Sequence, residues 1–277
     1  MRSIEKFFQR REQKAWEGRS PDVMWKLFLT GEAPQLRQGR RLLKHIPSNP
    51  RCKLCYAPFR GAGAPLMRVI GKGPSSVNPR ICDTCISNSP IGGAEIELTL
   101  LFADVRGSTT LAEKMSPLEY SRLINHFFST ATRLLIDADA FIDRLVGDQV
   151  IALFLPAFSG QEHATVAIET AKALLHATGH ARPGEPWIPV GVGIHTGQAF
   201  VGKVGSEGVS DFTVLGDAPN VAARLSSLAQ AGEILISESA MAAAHIPAGA
   251  LESQTLQLKG RSETMTVGVL HLTPETI

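Results

Sequence analysis

An apolar run at residues 98–103 ends in an acidic residue, Asp104, and is followed by a short Gly-Ser-Thr turn. The run is too short for a buried helix and is bounded by a turn, so we predict a strand that is buried on both faces. Asp104 then lies where this strand leaves the core. A helix predicted from about Leu111 would let the turn offer backbone N–H groups to a phosphate. The turn residues are Gly107, Ser108 and Thr109.

A second acidic residue, Asp148, follows Gly147 between two apolar segments. The Gly-Asp pair is typical of the tip of a β-hairpin. Two carboxylates at the ends of adjacent strands, beside a turn that binds phosphate, would suit a pair of divalent cations. Each aspartate taken alone is better explained as a residue that caps a turn, so the metal site depends on the rest of the chain.

The net charge of +2 hides two unlike parts of the 277-residue chain. Residues 1–93 contain 17 Lys and Arg against 6 Asp and Glu, whereas residues 94–277 contain 11 against 20. We therefore predict a basic helical segment at 1–48, a cysteine-bearing module at 49–93 and a larger domain at 94–277. No apolar run is long enough to span a membrane and the N-terminus lacks the core of a signal peptide, so we expect a cytoplasmic protein.

Residues 1–48 interleave basic and apolar side chains, which predicts two or three amphipathic helices. One of them is expected to begin at Ser20 and Pro21. Such helices could contact the acidic part of the chain, a second protomer, anionic lipid or nucleic acid. The simplest interpretation is a solvated basic face whose apolar side packs within the same chain. Nucleic acid is disfavoured because we find no stacking motif or groove-reading helix.

All four cysteines form two CxxC pairs that are separated by 26 residues, Cys52 with Cys55 and Cys82 with Cys85. Two such pairs are typical of a tetrahedral thiolate site, since each pair covers one edge of a metal ion. Structural zinc is the first interpretation. An iron–sulfur cluster is the alternative, because four thiolates also hold one. Disulfides suit a cytoplasmic protein least.

Strands and helices alternate from residue 95 onward. Ser116, Pro117 and Glu119 form a capping box that predicts the start of a helix, and residues 163–178 predict a second amphipathic helix. Strands are expected on both sides of residues 147–148, and separate strands are expected at residues 188–194 and 200–204. The resulting β-α-β-β-α-β order predicts a ferredoxin-like split sheet in the α/β (α+β) class.

Four motifs in this order resemble those of the class III nucleotidyl cyclases. They lie at residues 102–109, 146–148, 193–197 and 212–224, and the resemblance spans about residues 95–272. It implies that the ribose 3′-hydroxyl of a nucleoside triphosphate attacks its own α-phosphorus. Pyrophosphate then leaves and a 3′,5′-cyclic nucleotide remains.

The same resemblance assigns roles to individual residues. Asp104 and Asp148 would each bind two Mg²⁺ or Mn²⁺ ions. Asn220 would orient the ribose, Arg224 would stabilise the transition state and Lys259 would hold the terminal phosphates. Asn220 and Arg224 are four residues apart, which places both on one face of a helix. In the family, the acids come from one protomer and the other three residues from its neighbour, so this chain is expected to form a homodimer with two equivalent sites.

The choice of base depends on Arg144 and Thr213. Family members that use adenine have a lysine at the place of Arg144 and an Asp or Thr at the place of Thr213. Adenine N1 accepts a hydrogen bond and N6 donates one, so a cation and a hydroxyl can satisfy both. Guanine would require a carboxylate, and strand alternation should direct the neighbouring Asp143 to the opposite face. In a competing interpretation, Arg144 pairs with a neighbouring acid.

We therefore predict an adenylate cyclase with ATP as substrate. A guanylate cyclase is one alternative. A catalytically degenerate cyclase fold that binds nucleotide as a regulator is the other, although the presence of all five expected site residues argues against it.

Overall fold

A computed structural model defines the architecture and describes residues 20–33, 43, 50–53, 55–75, 79–87, 92–206, 209–257 and 264–272. Lys259 and most of the basic segment at 1–48 lie outside these residues. The chain divides into two compact units. The N-terminal unit contains the residues up to Ile96 together with Pro156–Phe158 and Phe200–Thr213, and the sheet unit contains Glu97–Leu155, Ser159–Ala199 and the residues from Val214 onward.

Among the described residues, the N-terminal unit includes helices α1 (Pro21–Leu29), α2 (Ala64–Val69) and α3 (Asp83–Ser87). Helix α1 begins directly after Ser20 with Pro21 at its first position, as predicted. Its Trp25 and Leu29 are buried. The Trp25 ring lies 5.9 Å from the ring of Phe212. The apolar side of α1 therefore packs inside its own unit.

The remaining elements follow the predicted β-α-β-β-α-β order. They are β1 (Gly92–Val105), α4 (Ser108–Lys114), α5 (Pro117–Asp137), β2 (Phe141–Val146), β3 (Gln149–Phe154), α6 (Pro156–Ser159), α7 (His163–Thr178), β4 (Val190–Ser206), β5 (Val209–Leu215), α8 (Asp217–Leu228), β6 (Glu233–Ser237), α9 (Glu238–Ala243), β7 (Glu252–Gln257) and β8 (Thr264–His271). The predicted ferredoxin-like arrangement is confirmed.

Eight strands form one sheet in the order β2-β3-β1-β4-β6-β8-β7, with β5 paired to β4. Strand β3 is antiparallel to both β1 and β2, whereas β4 and β6 run parallel. Parallel neighbours need a crossover, and α8 lies in the connection from β4 and β5 to β6. This topology places the ends of β1 and of the β2–β3 hairpin next to each other.

Helix α5 is fixed at its start by the predicted capping box. The backbone N–H of Glu119 donates to Ser116 Oγ at 3.3 Å, and the backbone N–H of Ser116 donates to Glu119 Oε2 at 2.9 Å. Further along, Phe127 and Ala131 are fully buried in the main core cluster. A capped helix with a buried stripe holds its first turn in a defined position.

Two boundaries differ from those predicted. Helix α4 begins at Ser108 instead of near Leu111, because Gly107 adopts a φ of +65° and turns the chain directly out of β1. The separate strands expected at residues 188–194 and 200–204 form one continuous strand, β4. Within the described ranges, no helix combines the length and apolarity needed to cross a bilayer.

Candidate active site

Strand pairing brings Asp104 and Asp148 together. Asp104 lies opposite Gln149 in the β1–β3 ladder, and the backbone N–H of Val105 donates to the carbonyl oxygen of Asp148 at 3.4 Å. Gly147 and Asp148 form the two-residue connection between β2 and β3, and Gly147 supplies the positive φ of +61° that this turn requires. Two separate turns of the chain thus deliver two carboxylates to neighbouring strand ends.

The two carboxylates influence each other electrostatically. Burial raises the pKa of Asp104, and the like charge of Asp148 raises it further, while the guanidinium of Arg106 acts in the opposite direction. Like charges held this close disfavour double ionisation unless a cation lies between them. The donor set is made of carboxylate oxygens, which Mg²⁺ and Mn²⁺ prefer. The residues present therefore suit a divalent-cation site.

The predicted phosphate-binding turn directly follows Asp104. Gly107 precedes the first residue of α4, and space is open around its Cα, since a Cβ there would meet nothing within 4 Å. The first N–H groups of a helix have no acceptor within the helix. The backbone N–H groups of Ser108 and Thr109 are thus placed where they could donate hydrogen bonds to an anion.

Tyr120, in the first turn of α5, also reaches this site, which the sequence reasoning did not predict. Burial is the main cause that raises the pKa of its hydroxyl, and the charge of Asp148 adds to it. The nearby Ser108 side chain acts in the opposite direction and lowers this pKa. In the sequence, Tyr120 begins an apolar stripe at helical spacing that continues through Leu123 and Phe127. A tyrosine at the edge of such a stripe commonly packs its ring and keeps its hydroxyl at a polar site.

Helix α8 carries Asn220 and Arg224, and it packs closely on β4. A Cβ at Gly193 would overlap the backbone of Ala222 and Ser226, so only glycine allows this approach. Asn220 is exposed and its Nδ2 donates to the carbonyl oxygen of Gly216 at 3.1 Å. Arg224 is partly buried on the same face, one turn further along.

Arg106 connects Asp104 to helix α8. Its Nη2 donates to Asp104 Oδ2, and its Nη1 donates to the carbonyl oxygen of Ser227 at 2.9 Å. The sequence reasoning gave Arg106 no role. The signal was a basic residue two positions after Asp104, in the turn that follows β1.

Arg144 and Thr213, the residues predicted to recognise the base, belong to different units of the chain. Arg144 on β2 is 47% exposed, and its Nε lies 3.8 Å from Oδ2 of the buried Asp143. The β2–β3 register shifts between Ile142 and Arg144, so the pairing of β2 with β3 is irregular at these residues. The structure thus shows the ion pair with the neighbouring acid. Thr213 is buried on β5, in the N-terminal unit.

The four cysteines form a compact cluster in the N-terminal unit. None of the four forms a disulfide, and all four Sγ atoms lie within 4.8 Å of one another. Cys55 Sγ is 3.7 Å from Cys82 Sγ, and Cys52 Sγ is 3.9 Å from Cys85 Sγ. The disulfide interpretation therefore does not describe this structure. The cluster could hold a metal ion.

A lysine side chain and a backbone N–H group contact two of these thiols. Lys72 Nζ lies 4.0 Å from Cys55 Sγ, and the backbone N–H of Cys82 donates to Cys52 Sγ at 3.3 Å. The hydrogen bond with Cys52 raises the pKa of the Cys82 thiol, and burial adds to this effect. Deprotonation of all four thiols therefore needs a cation at their centre.

Comparisons with known proteins identify the larger part of the chain. A sequence model of the family described as "Adenylate and Guanylate cyclase catalytic domain" matches residues 94–271. An adenylate cyclase of Anabaena cylindrica is 33% identical over 192 residues, which are 66% of this chain and 38% of that protein. Guanylate cyclase 2G of Mus musculus is 31% identical over 176 residues, which are 61% of this chain and 16% of that protein.

Solved structures agree with this match. The guanylyl cyclase Cya2 superposes with a TM-score of 0.58 at 28% identity, covering 65% of this chain and 93% of that one. The curated relatives are longer proteins, of which this chain spans less than half.

Proposed function

The chain belongs to the class III adenylate and guanylate cyclase catalytic-domain family, and on that basis we propose that it converts ATP into 3′,5′-cyclic AMP and pyrophosphate at a homodimer interface. The observation that carries this proposal is the pair Asp104 and Asp148, held at adjacent strand ends beside the start of α4. This is the arrangement that a nucleotidyl transfer with two metal ions requires.

The chemistry is divided between bound cations and protein groups. Two Mg²⁺ or Mn²⁺ ions held by Asp104 and Asp148 would help to ionise the 3′-hydroxyl and neutralise the triphosphate. The first N–H groups of α4 donate to phosphate oxygens. Asn220 positions the ribose, and Arg224 donates to the phosphate oxygens that gain charge as pyrophosphate leaves. Lys259 holds the terminal phosphates.

A homodimer follows from the distribution of these residues. The two acids serve one site, whereas Asn220, Arg224 and Lys259 serve the site of the neighbouring protomer. A single chain carries both sets, so a two-fold axis generates two equivalent sites on one interface.

The choice of ATP depends on Arg144 and Thr213, because relatives of both kinds match this chain. Half of the Arg144 side chain is exposed and its ion pair with Asp143 is long, which leaves the guanidinium able to donate to adenine N1. The Thr213 hydroxyl can accept from adenine N6. Guanine N1–H would face the Arg144 cation without an acceptor.

A turnover assay with Mn²⁺ tests this choice. The purified protein is given ATP and GTP separately, and the products are identified by mass. We expect cyclic AMP. Replacement Arg144→Ala should lower kcat/KM for ATP by about 10–100-fold, since a buried base edge is left unpaired. The exposed Arg133 of α5 supplies the control, because Arg133→Ala removes an equal charge away from the site.

Other products would change the proposal in defined ways. Cyclic GMP would show that the base assignment is wrong while the metal chemistry holds. Absence of both products, in protein shown to be dimeric and loaded with metal, would favour a degenerate cyclase fold that acts as a nucleotide-binding regulator.

We further propose that the cysteine cluster holds one structural zinc ion. A Zn–S bond of about 2.3 Å places the corners of a tetrahedron about 3.8 Å apart. The Sγ separations of 3.7 and 3.9 Å support this geometry. In a four-iron cluster each thiolate binds a different iron, which would hold the sulfur atoms further apart than around a single ion.

Removal of the cluster tests the zinc proposal. We expect one zinc per chain by elemental analysis and none in the double variant Cys52→Ser/Cys82→Ser. That variant should also lose several kcal/mol of stability in the N-terminal unit, since binding free energy of structural zinc is folding free energy. Asp104→Asn serves as the control and should retain zinc. Iron with acid-labile sulfide, or unchanged metal content in the double variant, would contradict the assignment.

A further inference from the structure

One side chain in the sheet unit contacts both Asp104 and the helix that carries Asn220 and Arg224. The Arg106 guanidinium donates to the carboxylate of Asp104 through Nη2 and to the carbonyl oxygen of Ser227 through Nη1. Its backbone N–H donates to the carbonyl oxygen of Pro189 at 2.8 Å, which fixes the start of the side chain. The Arg106 side chain is 21% exposed. The position of the guanidinium is therefore fixed by contacts with the protein, and most of the side chain is out of contact with solvent.

The contact at Asp104 has a chemical consequence. A divalent cation and a guanidinium are both positive and both seek the same carboxylate oxygens. Arg106 Nε is buried and has no acceptor among the described residues. The hydrogen bonds to Asp104 and Ser227 therefore determine the position of the guanidinium. Loss of one of these hydrogen bonds is expected to change the geometry of the other.

The contact at Ser227 leads to helix α8. Ser227 lies in the last turn of α8, and its Oγ donates to the carbonyl oxygen of Arg224 at 2.8 Å. Carbonyl groups at the end of a helix carry partial negative charge and attract cations. Arg106 thus joins the carboxylate that binds metal to the helix that carries Asn220 and Arg224.

We propose that Arg106 competes with the divalent cation for Asp104 and relays cation binding to the last turn of α8. This inference rests on the proposed cyclase function. When a cation takes Asp104, the guanidinium leaves the carboxylate and its remaining strong acceptor is the Ser227 carbonyl. In the homodimer, α8 of this protomer serves the neighbouring site. Arg106 is accordingly a positioning residue that connects metal occupancy at one site to the helix of the other.

Cation binding to the nucleotide-free protein tests the competition. Isothermal titration with Mn²⁺ should show about tenfold tighter binding in Arg106→Gln than in the wild type, because a competing positive charge is removed. Arg106→Lys keeps the charge but cannot bridge two acceptors, so its Mn²⁺ affinity should stay within about threefold of the wild type. Arg133→Gln, on the exposed face of α5, is the charge-matched control and should leave the affinity unchanged.

Amide hydrogen exchange tests the relay. Addition of Mn²⁺ to the wild type should change exchange at residues 225–228, and this change should be lost in both Arg106→Gln and Arg106→Lys. A merely structural arginine would alter exchange equally with and without Mn²⁺. Circular dichroism and the melting temperature show whether each variant is folded. If Arg106→Gln does not fold, Arg106→Lys alone still tests the relay.

The outcomes separate this inference from the function on which it rests. Wild-type protein that binds Mn²⁺ with the same affinity as Arg106→Gln, or more tightly, would overturn the competition and leave the cyclase proposal intact. Unchanged exchange at residues 225–228 in the wild type would overturn the relay. Wild-type dimer that binds no Mn²⁺ would overturn both, since Asp104 would then not be a metal ligand.

Discussion

Replacement of Asp104 by Asn is expected to lower metal-dependent turnover by at least about 10³-fold. The substitution keeps the shape of the side chain and removes the negative charge that a divalent cation needs. Asp104 is the second-last residue of β1, and the residues on either side of it, Ala103 and Val105, are buried. We therefore expect the backbone at Asp104 to keep its position when the carboxylate is replaced. The measurement is kcat with saturating Mn²⁺ and ATP, together with the melting temperature of the variant.

Two comparisons make this result specific. Glu169→Gln removes an exposed carboxylate on α7, whose partner is Lys172 at 2.7 Å, and should leave kcat within about twofold. Asp148→Asn should be as inactive as Asp104→Asn but no less stable than the wild type, because it relieves the repulsion that raises the pKa of Asp104. Retention of more than about a tenth of wild-type turnover in Asp104→Asn would be incompatible with two-metal catalysis at this site.

Mixing two inactive variants is expected to restore activity if the sites are shared between protomers. Asp104→Asn lacks a metal ligand and Arg224→Ala lacks the cation for the transition state. In a heterodimer of the two, one site receives both defects and the other receives none. Random exchange makes half of the dimers mixed, each with one intact site of two, so the mixture should recover about one quarter of wild-type specific activity.

A second mixture supplies the matched control. Asp104→Asn combined with Asp148→Asn places one defect in each site of the heterodimer, because both acids belong to the same half-site. That mixture should stay inactive at every ratio. No recovery in the first mixture, under conditions where protomers exchange, would show that each chain carries a complete site of its own. Recovery in the second mixture would show that the two acids of one site come from different protomers.

Local sequence signals determined much of the fold. The apolar run before Asp104 predicted a buried strand because such a segment has no polar face to present to water. The Ser116 and Glu119 pair predicted the start of α5, since capping acts within four residues. Residues 163–178 were predicted as a helix and form α7 over the same span. The spacing of the cysteines predicted the cluster that the structure contains.

The sequence did not predict how the strands pair across the sheet. Strand alternation predicted opposite faces for Asp143 and Arg144, and the Asp143 side chain is buried while that of Arg144 is half exposed, but the register shift against β3 beside them had no signal in the sequence. The segments at 188–194 and 200–204 were read as separate strands, whereas pairing across the sheet makes them one strand, β4. Pairing partners are distant in sequence, so the period of a single strand does not report them.

By itself, the sequence determined which residue types are available for chemistry and on which element each one lies, because periodicity, caps and turns act over a few residues. Only the tertiary structure decided which of them meet. Arg106 and the Ser227 carbonyl are 121 residues apart, yet they share a hydrogen bond, since β1 and α8 are held together by packing on β4. Such contacts arise from burial of the whole core, and no short segment of the chain contains the information to predict them.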